Sequence, residues 1–335
     1  VTLVEWIGVF MFLALGAYAI FGIADFGGGV WDLFATGPRK REQREAIAKA
    51  MGPVWEANHV WLVFFMILLL TAFPKAFAAL SRAMFIPFHL VLVGVILRGA
   101  AFVLRSPGIT RAGAPERVWS WVFGVASTVS PLLLGMGLAA VSSGGIRIDG
   151  DQVSAPPLET WLSPFAVALG IFVLTLAAYL AAVFLAAETR GELREDFHRR
   201  AFASGTATAV LSAAMLWMMA RYTPWLWEGF THGVSGVLLF IGAVLYLFSF
   251  ILVLQKQYVL ARISASGQVL VLLLGWVLAQ WPYVIYPDLT FEAAKAPDAT
   301  LRFVVQVVPV GMAILLPSLF LLFRVFKKEP LSEAD

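Results

Sequence analysis

The stretch GPVWEANHVWLVFFMILLL (residues 52–70) sets Glu56, Asn58 and His59 between Trp55 and Trp61, then runs on as unbroken hydrocarbon. An apolar run of this length reads as a helix crossing a bilayer. A carboxylate, an amide and an imidazole at its threshold are costly unless paired, hydrated or placed to carry protons. The composition of the whole chain supports the bilayer reading. Hydrophobic residues make up 60% of the 335, against about 45–50% in soluble proteins. Charged residues are only 13%. No soluble core needs that much apolar surface, so lipid is the solvent for most side chains. The chain has no cysteine, which excludes disulfides, c-type haem attachment, thiolate-held iron–sulfur clusters and Cys-based zinc sites. Its formal charge of +3 is spread over many loops, so there is no nucleic-acid footprint.

Working outward, nine apolar runs are long enough to span: 4–25, 55–73, 83–104, 118–141, 161–187, 201–220, 233–254, 267–286 and 303–326. The basic stretch 36–49 is expected to form a short surface helix. Residues 142–157, rich in Gly and Ser and ending in paired Pro, read as a loop. Pro131, Pro309 and Pro317 are the candidate mid-span breaks. The first run has no basic leader or small-residue cleavage pattern, so it is expected to stay a helix. Most of the 24 lysines and arginines fall in alternate connections and the tail. They include Arg39, Lys40, Arg41, Arg44 and Lys49, then Arg105, Arg111 and Arg117, then Arg190, Arg194, Arg199 and Arg200, and finally Lys327 and Lys328. Basic loops stay in the cytoplasm. The N-terminus is therefore expected outside and the C-terminus inside.

This orientation puts Asp25, Glu56, His59 and Arg98 at similar depth on three consecutive helices. A charge at mid-helix costs roughly 2.5–3.5 kcal/mol on insertion scales. Two roles are open: an ion pair of Arg98 with Asp25 or Glu56 that staples helices, and a proton entrance. Gly94, Gly99, Ala100 and Ala101 around Arg98 let another helix approach closely. Glu56 and His59, three apart, share a helical face. His89 falls on the face opposite Arg98, and His198 and His232 are expected in loops on different sides. No two histidines match in depth as a haem pair would need. Trp225, Trp227, Trp281, Tyr283 and Tyr286 read as an interfacial aromatic belt, although a quinone ring could stack there.

GPVWEANHVWLV, with ADFGGG (24–29) before it and LRGAAFVLRS (97–106) after it, resembles subunit II of the cytochrome bd-type quinol oxidases. The family pattern is an Asp-Phe-Gly-like end to helix one, then Pro-x-Trp-[Asp/Glu]-x-Asn-x-x-Trp-Leu opening helix two. Arg-Gly-x-x-Phe-x-x-Arg follows on helix three. The plan fits nearly the whole chain, with the specificity in its first hundred residues and WPYVIYP (281–287) as the later match. One departure is Val103, where the family often has an acid, so a charge partner for Arg105 is missing at that place.

The resemblance implies an all-α, multi-pass protein of the bacterial plasma membrane. It has two four-helix bundles (about 1–142 and 158–287) and a peripheral last helix (about 303–326). It further implies membership of an electrogenic terminal oxidase that oxidises quinol and reduces O2 to water. The haems b and d belong mainly or wholly to the partner subunit I, and no haem ligand is obligatory in this chain. The family leaves room for a small single-helix accessory subunit and bound lipid. Asp25 and Glu56 match acidic family positions, with Asn58, His59 and Arg98 completing the candidate cluster for proton passage. The rival readings are a secondary transporter and a purely structural assembly subunit. Transporters place sites at the midplane on broken helices, whereas these charges lie near one face.

Overall fold

The computed structural model describes residues 2–51, 55–105, 116–150 and 152–326, apart from the side chains at 55, 56, 116, 323 and 326. Arg111, Lys327 and Lys328 of the orientation argument lie outside the described residues. Among the described residues, eight helices are long and apolar enough to cross a membrane, and the number is nine if a bent pair, Ala57–Ala72 followed by Pro74–Ala83, counts as one span. The pair turns by 117°. Pro74 opens the second member, where its missing N–H costs no hydrogen bond. That second helix carries Lys75 and Arg82 and buries Ala76, Ala79, Leu80 and Ala83.

The other helices follow the expected runs, with instructive shifts. The sixth begins at Gly191, not 201. Its polar first turns stay helical because their charges are matched from outside: Arg39 to Asp196 and Lys256 to Glu195. His198, expected in a loop, therefore sits inside this helix. The eighth runs Tyr258–Gln280. It starts before the apolar run because Ser264 bonds the Leu245 carbonyl at 2.8 Å. It ends early because residues 283–290 fold back as a two-stranded hairpin. The loop at 142–157 likewise contains a hairpin, pairing Arg147 with Ser154 and Asp149 with Gln152. The surface helix forms at Lys40–Met51. Pro131, Pro309 and Pro317 break nothing: helices Glu116–Ser143 and Asp298–Phe326 run through them.

The first span is central. Beginning at Leu3 and ending at Leu33, it packs against Trp55–Ala72, Glu116–Ser143 and Pro164–Glu188. Lipid supplies no hydrophobic drive between helices, so small residues and polar contacts decide these approaches. The last helix is different. Only 6% of its apolar window is buried, and Phe303, Val310, Ile314 and Phe320 face outward.

At one end the hairpins are tied by a fork from Arg147 to Asp288, with nitrogen–oxygen distances of 2.8 and 3.1 Å. The Ile148 amide donates to the same carboxylate. Burial pushes the Asp288 carboxyl up, but those hydrogen bonds and the Arg147 charge outweigh it and hold it below its usual range. A depressed carboxyl stabilises above its unfolded value, near 3.9, and loses that contribution as pH falls through the folded value. Protection of the Ile148 amide in hydrogen exchange, corrected for intrinsic rate, should thus hold from neutral pH to about 4 and drop below it. In Asp288→Asn the drop should vanish. A wild-type protection factor flat down to pH 2 would contradict this.

Candidate functional site

The first span is a π-helix over Tyr18–Gly22 and returns to α-helix at Ile23. Asp25 follows within a turn and is buried. Its carboxylate Oδ2 accepts from Asn58 Nδ2 at 2.6 Å, and the same amide nitrogen lies 3.5 Å from the Phe21 carbonyl. Arg98, only 1% exposed, completes the junction. Its Nη2 donates to the Asp25 carbonyl and its Nε to Ser127 Oγ, both at 3.1 Å. Its Nη1 lies 3.4 Å from His59 Nε2. Arginine can only donate, so Nε2 accepts and the imidazole is the neutral tautomer. The guanidinium also lies over the rings of Phe26 and Phe123, at 5.0 and 5.3 Å. A buried guanidinium persists when its N–H groups are used in this way.

Small residues make this junction possible. A Cβ on Gly29 would lie 2.1 Å from Ser127 Oγ, and one on Gly94 would lie 2.4 Å from Ser130 Oγ. Of the residues singled out from sequence, Asp25, Asn58, His59 and Arg98 thus come together. Glu56 belongs to the first turn of the same helix as Asn58, and its side chain lies outside the described residues.

One further acid escaped the sequence reading. Asp32 is fully buried and pairs with Arg105 at 2.8 Å, with Arg44 at 3.8 Å behind it. Arg105 therefore has a carboxylate after all, supplied by the first helix and not by position 103. The signal was available. Asp32 follows Asp25 by seven residues, and Arg105 follows Arg98 by seven. Seven residues are close to two full helical turns, so each pair lies on one face. The contacts Arg98–Asp25 and Arg105–Asp32 both join residues 73 apart in sequence. They are two rungs of one ladder between helices running in the same direction. Beyond the lower rung, Asp196 accepts from Arg39 and Gln43, and Arg200 donates to Gln43 Oε1 at 2.6 Å. These contacts clamp the Lys40–Met51 helix to the sixth span.

The remaining histidines stand apart. His89 Nδ1 is 2.7 Å from the Phe85 carbonyl, His198 Nδ1 is 3.1 Å from Tyr258 OH, and His232 bonds the Glu228 carbonyl. With His59 against a guanidinium, the four imidazoles have separate neighbours. In the aromatic cluster Trp225 stacks on Tyr286 at 3.8 Å, and its indole N–H is taken by the Ser142 carbonyl.

Comparison with known proteins agrees with the fold and the motif. A solved bd oxidase structure from Geobacillus thermodenitrificans superposes with a TM-score of 0.76 at 22% identity, covering 97% of this chain and 99% of that one. Cytochrome bd ubiquinol oxidase subunit 2 of Bacillus subtilis is 29% identical over 223 residues, 64% of each chain. Cytochrome bd-I ubiquinol oxidase subunit 2 of Escherichia coli K12 is 25% identical over 186 residues, covering 54% of this chain and 48% of the relative. The family model for cytochrome bd terminal oxidase subunit II matches residues 3–326. The chain belongs to the cytochrome bd terminal oxidase subunit II family.

Proposed function

We propose that this chain completes a quinol-oxidising, O2-reducing complex with a haem-bearing subunit I and helps bring it protons from the cytoplasm. Membership of the family makes it a subunit of an oxidoreductase complex, as a multi-pass protein of the bacterial plasma membrane. The finer reading is ours. Haems b and d are held by subunit I, and this chain forms the shell that positions it. Residues of about 1–142 and 158–287 act as two bundles, with the last helix peripheral. The N-terminus lies outside and the C-terminus in the cytoplasm, in keeping with the basic loops.

The observation that carries the proton reading is the convergence of Asp25, Asn58, His59 and Arg98 inside apolar helices. Asn58 orients the Asp25 carboxylate, and Arg98 places a positive charge against the same turn of the helix. Glu56, one helical turn before His59 and Val60, is the second titrating group. A proton entering from the basic end would pass between these acids. The stapling role of Arg98 and the proton role of the acids are compatible.

Glu56→Gln keeps shape and hydrogen bonding while removing the titrating proton. In the assembled complex it should slow steady-state O2 consumption roughly ten-fold or more, as expected for a lost proton-transfer group, with the haem spectrum unchanged. Asp25→Asn should do the same. Wild-type turnover and proton uptake in both variants would leave only the staple role.

A further inference from the structure

The first span carries a π-helix at Tyr18–Gly22, and such bulges concentrate at functional sites. It lies at the middle of the Leu3–Leu33 span. It is packed between the Trp55–Ala72 and Tyr258–Gln280 helices. Tyr18, its first residue, is 2% exposed, and its hydroxyl has no hydrogen-bond partner among the described residues. Leaving such a group unsatisfied costs about 1–3 kcal/mol, so a buried phenol here needs a reason.

Its surroundings supply one. The Tyr18 ring is 6.0 Å from the His59 ring. That imidazole is in turn 3.4 Å from Arg98 Nη1. Gly22 makes the seat: a Cβ there would fall 2.4 Å from the phenol ring. Asp25 is seven residues further along, about 10 Å at 1.5 Å per residue, toward the end bearing the basic residues. Tyr18 is thus a buried polar group one step along the first span from the acid cluster, near the middle of the Leu3–Leu33 helix.

We propose that the Tyr18 hydroxyl relays protons from the Asp25–Asn58–His59–Arg98 cluster toward the membrane interior. This inference rests on the proton-delivery reading above. A proton arriving from the cluster through water is accepted on a phenol oxygen lone pair while the existing O–H proton passes to the next water. One O–H bond forms, one breaks, and the phenol ends neutral. No redox change is involved.

The test uses the intact complex. Tyr18→Phe keeps the ring and removes the relay. It should lower maximal turnover roughly ten-fold and raise the solvent isotope effect on turnover. The KM for quinol and the haem spectrum should stay unchanged. Tyr18→His puts another proton carrier on the same site and should recover at least part of the loss, with a changed pH profile, and it serves as the test if the Phe variant assembles poorly. Wild-type turnover and isotope effect in Tyr18→Phe, with Asp25→Asn and Glu56→Gln both slow, would overturn the relay and leave the proton entrance standing. If neither acid variant slows, the entrance reading falls and the relay with it.

Discussion

Replacing Asp32 by alanine should cost the complex most of its stability, by about 3–5 kcal/mol, the penalty for leaving a buried charge without its partner. Whole domains hold only about 5–15 kcal/mol, so little assembled enzyme should survive purification. The physical reason lies in what remains. Arg105 is 10% exposed and its guanidinium is held over Phe123 at 4.0 Å. It cannot reach water without leaving the helix junction. Arg44, at 25% exposure, has more freedom and can turn outward. The single substitution therefore strands one cation chiefly, and the double variant Asp32→Ala with Arg105→Met should recover much of the loss by removing that cation as well. Thermal inactivation of the purified complex, followed through its haem absorbance, measures both. An Asp32→Ala complex as heat-stable as wild type would mean that the lower rung of the ladder contributes nothing.

How much of this was legible beforehand differs by level. Lipid-facing helices are written in long apolar runs, so the nine candidate spans could be read off hydropathy. Their ends could not. The sixth helix continues through GELREDFHRR because Asp196 and Glu195 find cations on other segments, and hydropathy counts those residues as loop. The hairpin after Gln280 was hidden in an aromatic, apolar stretch that resembles span until its prolines are weighed. At the site, Asp25, Asn58, His59 and Arg98 were each conspicuous as polar groups in apolar surroundings. Asp32 was not, because it sits near the end of an apolar run where an acid reads as interfacial. Its seven-residue spacing from Asp25, repeated between Arg98 and Arg105, carried the information. Tyr18 was invisible: a tyrosine in a membrane span is ordinary, and what distinguishes it is a buried hydroxyl with no partner among the described residues, in a π-helix one step from Asp25.

The glycines of ADFGGG should rank by what each one touches, which gives a test of the helix junction itself. A Cβ at Gly27 would fall 1.9 Å from the Ala177 carbonyl oxygen and 2.5 Å from its carbon. Those are backbone atoms of the Pro164–Glu188 helix, and they cannot yield alone. Gly27→Ala must push two helices apart, and with lipid as the solvent no hydrophobic gain compensates. Overpacking of this kind costs about 1–3 kcal/mol, occasionally more, and here it also moves Phe26 and Asp25 away from Arg98. At Gly28 the obstacle is Met51 Sδ at 2.5 Å, the adaptable end of a long side chain, so Gly28→Ala should lose far less. Gly8 meets nothing within 4 Å. Helix propensity alone favours alanine over glycine by about 1 kcal/mol, so Gly8→Ala should be neutral or slightly stabilising. The three variants carry the same chemical change, and only the close approach predicts opposite signs. In thermal inactivation of the purified complex, Gly27→Ala should fall well below wild type and Gly8→Ala should not. Equal midpoints for those two would mean that the first span and the Pro164–Glu188 helix do not meet as closely as the site requires.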